Sequence, residues 1–434
     1  MRYLSTVGRS EPVALDTALR RGLAPDGGLY VPEHLPEFHF ADLADCRSLA
    51  ETAHRVLTPF LRDSSLLESL EDITQEALDL PLPLIEFERG RSWMLELFHG
   101  PTAAFKDFAA RFLAACMTRL RAPDEPVQTI VVATSGDTGG AVAAAFHRRP
   151  GFRVVILYPR GRVSARQAHQ LGAFGDNVHT FCVAGDFDDC QRLAKRALND
   201  PELVERLRLT SANSISIGRL LPQVTYYAHA SVQLFRRTSA AADVIVPTGN
   251  LGNALACVLA RRLGLPIGEI VLATNANRTL SDYFDGQDYR GRPGLATLAN
   301  AMDVGDPSNF ERLAWFYRDQ DLRNSDIRAF SVSDEVIRRT VQEVDQRYHM
   351  EICPHTACAV EVLHMRRKYG HYRPHLVAAT AHPAKFDEVV EPLLGRAVEP
   401  PPALATLLAR NSRAEDLVAD FAVMRQRLLA LASH

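Results

Sequence analysis

A lysine becomes a reagent only when it can release its proton near neutral pH, and Lys106 lies in a context that favours release. In FHGPTAAFKDFAARFLAACMTRL (98–120) the apolar residues Phe105, Phe108, Ala109, Phe112, Leu113, Cys116 and Leu120 recur at spacings of three and four, the stripe of a buried helix face. At about 100° per residue, Lys106 falls inside that stripe between Leu113 and Met117, while Asp107, Arg111 and Thr118 fall on the opposite side. Burial and the positive end of a helix both disfavour an ammonium. The pKa should fall, and the neutral amine that attacks a carbonyl carbon becomes accessible. The placement also fits a lysine that snorkels from the rim of the buried face, and Arg119 shares the arc, so the helix alone leaves both readings open.

Two glycine loops add the next chemistry. VVATSGDTGGAVAAAF (131–146) sets Gly136, Gly139 and Gly140 between a strand and a helix of small residues, and VIVPTGNLGNALACVLA (244–260) repeats the arrangement with Gly249, Asn250, Gly252 and Asn253. Bare backbone amides at a helix N-terminus can close on an anion. Neither loop contains GK[ST] or GxGxxG, which argues against nucleoside triphosphates and dinucleotides. Each loop alone also reads as a tight strand-to-helix turn. Two anion cups beside an amine form the inventory of an enzyme that uses pyridoxal 5'-phosphate, with one cup for the cofactor's phosphate and the other for the substrate's carboxylate. His355 in CPHTACAV and His382 in ATAHPAKF invite a metal reading, but there is no HExxH and no zinc-like Cys/His spacing. No metal is expected, and the histidines read as orienting or structural groups.

These loops need a frame to hold them. TIVVAT (129–134), VVILYP (154–159) and VHTFCVAG (178–185) alternate with helical patterns, and a second run begins at residue 243 and continues through EIVLATN (269–275). That rhythm predicts an α/β protein with two parallel-sheet domains. Pro81, Pro83 and the RGR at residues 89–91 suggest a boundary, and Pro400, Pro401 and Pro402 suggest another. The expected organisation is an N-terminal cap segment over 1–90, α/β domains over 91–238 and 239–398, and a helical tail over 399–434.

The chain has 434 residues, ample for several domains. Its 49 Lys plus Arg against 52 Asp plus Glu, without a long run of one sign, exclude a polyanion-binding surface, so no nucleic-acid or membrane partner is expected. The seven cysteines (46, 116, 182, 190, 257, 353 and 358) are odd in number and lack a CxxC pair, which predicts reduced thiols. No apolar run reaches signal-peptide length or the roughly 20 residues of a membrane span, so a cytoplasmic location is expected.

LFHGPTAAFKD (97–107), TSGDTGG (134–140), NSISIGRLLPQ (213–223), PTGNLGN (247–253), AMDVGDPSNFER (301–312) and ATAHPAKF (379–386) together resemble the threonine synthase family, as do STVG (5–8) and GLAPDGGLYVPEHLP (22–36) near the start. The resemblance runs from about residue 3 to about residue 390. It implies a fold-type II pyridoxal phosphate enzyme, a lyase that converts O-phospho-L-homoserine and water to L-threonine and phosphate. Lys106 matches the lysine that carries the cofactor as a Schiff base. Gly249, Asn250, Leu251, Gly252 and Asn253 match the cup for the cofactor phosphate, and Thr380 matches a hydroxyl near the pyridine nitrogen. Ser135, Gly136, Asp137 and Thr138 match the loop facing the substrate carboxylate and the cofactor ring. Asn213, Ser214 and Arg219 match the segment near the substrate phosphate, where an arginine fork suits phosphate oxygens.

Two positions depart from the pattern. Asp137 stands where many fold-type II enzymes carry Asn, and a carboxylate there would repel the cofactor's phenolate oxygen unless protonated or turned away. Ser216 stands where the family usually has Asn. The alternative readings are another fold-type II lyase, such as an amino-acid dehydratase or a β-replacing synthase, and a non-catalytic paralogue that binds the cofactor. The NSISIGR and AMDVGDPSNFER motifs and the intact Lys106 favour the first reading.

Overall fold

The β-branched runs become strands buried on both faces, which explains why they read as continuous apolar stretches rather than alternating ones. The structure is a computed structural model that describes residues 1–431. One sheet has five strands in the order Glu415–Val418, Val178–Ala184, Phe152–Pro159, Gln128–Ala133 and Thr210–Ser211, all parallel. The other has six in the order Ile327–Ser331, Ile267–Thr274, Ala242–Pro247, His375–Ala379, Ser92–Glu96 and Leu84–Glu88, parallel except for the final pair. Val377 lies at its centre, in register with Ile245 on one side and Met94 on the other. The expected architecture of two parallel-sheet α/β units is present.

One expected boundary moves, and the tail differs in content. The break expected near residue 90 falls inside an antiparallel hairpin, Leu84–Glu88 with Ser92–Glu96, and both strands belong to the six-stranded sheet rather than to the unit that follows. Trp93, Met94 and Leu95 are buried there because Ser92–Glu96 pairs with His375–Ala379, a partner far away in the chain that no local pattern discloses. The tail is not wholly helical either. Between helices Pro402–Leu408 and Phe421–Leu431, residues Glu415–Val418 extend the five-stranded sheet, with Leu417 packed beside Cys190 and Leu193. Residues 432–434 of that expected tail lie outside the described residues.

This interleaving positions the site. After Ser92–Glu96 the chain leaves the large sheet, forms helix Lys106–Leu120 and only then enters the small sheet at Gln128. The Lys106 segment therefore links the two sheets. TSGDTGG, GNLGN and ATAHPAKF follow the carboxyl ends of parallel strands, the usual place for ligands in such sheets. The N-terminal helices Leu49–Leu57 and Leu70–Leu78 pack on helices Ile217–Thr238 and Lys106–Leu120 respectively. No helix among the described residues is long and apolar enough to cross a membrane, and all seven cysteines are free thiols.

Candidate active site

Lys106 opens its helix after a tight turn in which Ala103 adopts a left-handed φ of 54°. Asp107 holds that turn. Its carboxylate accepts from the Thr102 amide at 2.8 Å and the Thr102 hydroxyl at 2.6 Å, and the residue is fully buried. Helix periodicity places Asp107 opposite the apolar stripe, yet it is not a solvated residue, because these local hydrogen bonds and the packing around the turn outweigh its position on the wheel. The same turn is tied to the strand end that carries Thr380. The Phe105 amide donates to the Thr380 carbonyl at 2.9 Å, and the His382 amide donates to the Ala103 carbonyl at 3.0 Å. Lys106 and Thr380 are thus fixed relative to one another by backbone.

Lys106 keeps part of its side chain open while protein surrounds it. Burial lowers its pKa from 10.5 to about 8, Asp137 opposes that fall, and Arg219 and Lys385 add to it. At neutral pH a useful fraction is the neutral amine.

In the first glycine loop, Thr134 Oγ1 accepts from the amides of Gly136 at 3.0 Å and Gly139 at 2.9 Å, which rounds the turn into helix Asp137–Phe146. Gly136 has φ of 130°, and a Cβ there would lie 2.6 Å from the Gln167 amide nitrogen, so only glycine fits. Ser135 and Thr138 flank it, half-buried. Asp137 is buried. Its Oδ1 accepts from Gln167 Nε2 at 2.9 Å and pairs with Lys385 Nζ at 2.8 Å. Burial alone would raise its pKa, but the charges of Lys385 and Lys106 and the hydrogen bond from Lys385 outweigh burial and hold it well below the usual carboxylate range. The expected conflict at Asp137 is therefore met by a buried lysine that sequence reasoning passed over. Lys385 lies within the ATAHPAKF motif, but only its tertiary partners reveal its role.

In the second loop, Leu251 takes a left-handed φ of 62° as the residue before helix Gly252–Arg262. Gly249 faces Met302, and a Cβ there would stand 2.7 Å from the Met302 Cα. Asn250 is bonded through both ends of its side-chain amide, Asn253 through its oxygen alone. Asn250 donates to Ser214 Oγ at 2.7 Å and accepts from the Ser308 amide at 2.6 Å, while Asn253 Oδ1 accepts from Tyr226 at 2.5 Å and Tyr227 at 2.9 Å. The cup therefore offers backbone amides and a helix terminus, with the buried Asn253 Nδ2 left as one unpartnered side-chain donor among the described residues, a set suited to a phosphate.

The third group is the segment Asn213–Arg219. Asn213 Oδ1, Ser216 Oγ and Arg219 Nε are buried without a hydrogen-bond partner among the described residues. Each such atom costs about 1–3 kcal/mol unless something polar reaches it. Arg219, 2% exposed, donates from Nη1 to the Ala212 carbonyl at 2.6 Å, and burial lowers its pKa to about 10. A buried arginine with an idle N–H, together with a serine hydroxyl free to donate, is a site for an anionic group, while the Asn213 acceptor calls for a donor. Arg312, also absent from the expected site, holds this segment in place. It is fully buried and donates to the carbonyls of Tyr30 at 3.0 Å and Ile215 at 2.6 Å and to Asn309 Oδ1 at 2.9 Å.

The two histidines have different surroundings. His355 Nε2 accepts from the Ala301 amide at 3.1 Å and burial lowers its pKa to about 4, so it is a neutral acceptor. His382 caps its own turn through Nδ1 at 3.2 Å from the Ala384 amide. No group of three or more His, Cys, Asp or Glu among the described residues could hold a metal ion.

The geometry joins the expected residues into one neighbourhood between the sheets, with a weakly basic amine at its centre, a backbone cup at a helix N-terminus and an unsatisfied arginine segment. Such a set can hold a phosphorylated aldehyde on the amine and a second anion nearby, so the residues present fit pyridoxal phosphate.

Comparison with known proteins agrees. A family model described as "Pyridoxal-phosphate dependent enzyme" matches residues 80–381, and models described as "Threonine synthase N terminus" and "Threonine synthase, C-terminal" match 2–78 and 356–427. The threonine synthase of Escherichia coli (strain K12) is 39% identical over 432 residues, covering 99% of both chains. A crystal structure of threonine synthase from Escherichia coli superposes with a TM-score of 0.92 at 38% identity, over 99% of this chain and all of that one. The PLP-bound threonine synthase from Brucella melitensis superposes with a TM-score of 0.90 at 34% identity, over the whole of both chains.

Proposed function

The chain belongs to the threonine synthase family, and on that footing we propose that it converts O-phospho-L-homoserine and water to L-threonine and phosphate with pyridoxal 5'-phosphate carried on Lys106. The observation that carries the reading is the Lys106 amine, brought to about pH 8 by burial at the junction of the two sheets, beside an arginine segment with unsatisfied buried polar atoms.

The bound cofactor supplies the electron sink that lets Cα and then Cβ of the substrate lose a proton, after which phosphate leaves Cγ and water adds at Cβ. The residues then divide the work. Lys106 Nζ, released when the substrate's own amine takes its place, accepts the proton from Cα and serves the later transfers. The GNLGN loop, residues 249–253, holds the cofactor phosphate through backbone amides at the positive end of its helix. Thr380 offers its hydroxyl to the pyridine nitrogen, and its backbone tie to Phe105 keeps that hydroxyl in step with Lys106. Ser135, Gly136, Asp137 and Thr138 face the substrate carboxylate and cofactor ring. Asn213, Ser214 and Arg219 take the substrate phosphate, which would satisfy the idle Nε–H of Arg219.

The test is direct. Purified protein loaded with cofactor should form threonine and phosphate in equal amounts from O-phospho-L-homoserine and leave serine and threonine unchanged. Deamination of serine or threonine, with O-phospho-L-homoserine untouched, would instead mark an amino-acid dehydratase on the same fold.

A further inference from the structure

The buried ion pair between Lys385 and Asp137 joins three separate parts of the chain. Lys385 is 1% exposed, and its Nζ donates to the Thr102 carbonyl at 2.7 Å while pairing with Asp137 Oδ1 at 2.8 Å. Thr102 belongs to the turn before Lys106, Asp137 opens the helix of the TSGDTGG loop, and Lys385 follows Thr380. The Asp137 oxygen that meets Lys385 also accepts from Gln167, so both its charge and its direction are set from outside its own loop. Left unpaired, a carboxylate buried this deeply would take up a proton.

We infer that Lys385 is a positioning residue: it holds Asp137 as a fixed carboxylate and thereby supplies the negative charge that faces the nitrogen carried on Lys106. The inference rests on the functional reading above in that this nitrogen becomes an imine when the cofactor is bound. The charged or titratable groups around that nitrogen are Asp137, Lys385, Arg219, His355 and Asp107, each on a different element except Asp107, which shares the Lys106 helix. Asp137 is the strongest charge acting on Lys106. An anion at this position stabilises a protonated imine, and a cation destabilises it.

The two roles Lys385 could have predict opposite signs. If Lys385 were only a nearby cation, K385Q would raise the pH at which the cofactor's visible imine band titrates, whatever stands at position 137. If Lys385 keeps Asp137 ionised, K385Q removes both charges in the parent background and lowers that pH. In the D137N background only the cation is lost, and the pH rises. We expect this reversal of sign, with D137N itself lowering the imine's proton affinity by roughly tenfold. A shift in the same direction in both backgrounds would overturn the inference. Thermal midpoints of the cofactor-free proteins provide a second reading that needs no imine. D137N/K385Q should be more stable than K385Q at neutral pH, because the lone Asp137 of K385Q must take up a proton from solvent at a free-energy cost that asparagine does not bear. If the double variant is no more stable than K385Q, or neither folds, the pairing is refuted. Absence of any imine band in the parent protein would instead count against the cofactor reading and leave the thermal comparison to decide on the pair.

Discussion

At Lys106 the same desolvation that weakens the protein makes the amine a reagent. In the folded chain the proton leaves near pH 8, against an ordinary value of 10.5. Below pH 8 both folded and unfolded chains hold it, so folding bears the full cost of removing a charge from water. Between about 8 and 10.5 only the unfolded chain still binds it, and the cost fades as the pH rises. Cofactor-free Lys106→Met should therefore be more stable than the parent at pH 7, by about 3 kcal/mol at most and by less where water reaches the side chain. That advantage should shrink towards pH 10. Denaturant unfolding of both proteins across this range checks the expectation, and a pH-independent difference would place the amine in water. Helix periodicity placed Lys106 inside the apolar stripe but left a lysine snorkelling from its rim equally open. The burial of Asp107 was not legible, because it comes from the turn at Gly100–Thr102 and not from the helix wheel.

The elements around the site are held by arginine as much as by glycine. Arg312 reaches from helix Phe310–Phe316 to the N-terminal strand through the Tyr30 carbonyl and to the NSISIGR segment through the Ile215 carbonyl. Arg312→Ala should loosen that segment and raise KM for O-phospho-L-homoserine by tenfold or more, equivalent to roughly 1–3 kcal/mol. It should lower kcat much less and leave cofactor binding intact. Arg312→Lys should restore little, since one ammonium cannot reach three acceptors in different directions. Steady-state kinetics at a temperature where the variants remain folded, with cofactor affinity measured alongside, distinguishes this from general destabilisation, which would lower both together. The motif containing Arg312 was visible in the sequence. Its work was not, because the acceptors come from residues 30, 215 and 309, and only packing brings them together. The same holds for the cup. GNLGN could be recognised as a loop for an anion, but the commitment of the Asn250 and Asn253 side chains to Ser214 and to Tyr226 and Tyr227 depends on tertiary neighbours.

For the molecule as a whole, the alternation of strands and helices was enough to read two parallel sheets, since buried parallel strands leave unbroken apolar runs. The chain order within those sheets was not readable. Ser92–Glu96 crosses to the later sheet and Glu415–Val418 returns to the earlier one, and pairing between distant strands leaves no local trace. This interleaving sets the Lys106 turn at the junction, with the Thr380 strand end fastened to it and Asp137 close to its amine. The central claim is that this one amine carries the cofactor. Borohydride reduction of the cofactor-loaded protein, followed by peptide mass mapping, tests it most directly. The label should appear on the peptide containing Lys106, and Lys106→Ala should show neither label nor visible band. A label on Lys385 or any other residue, or none on the parent protein, would contradict the account.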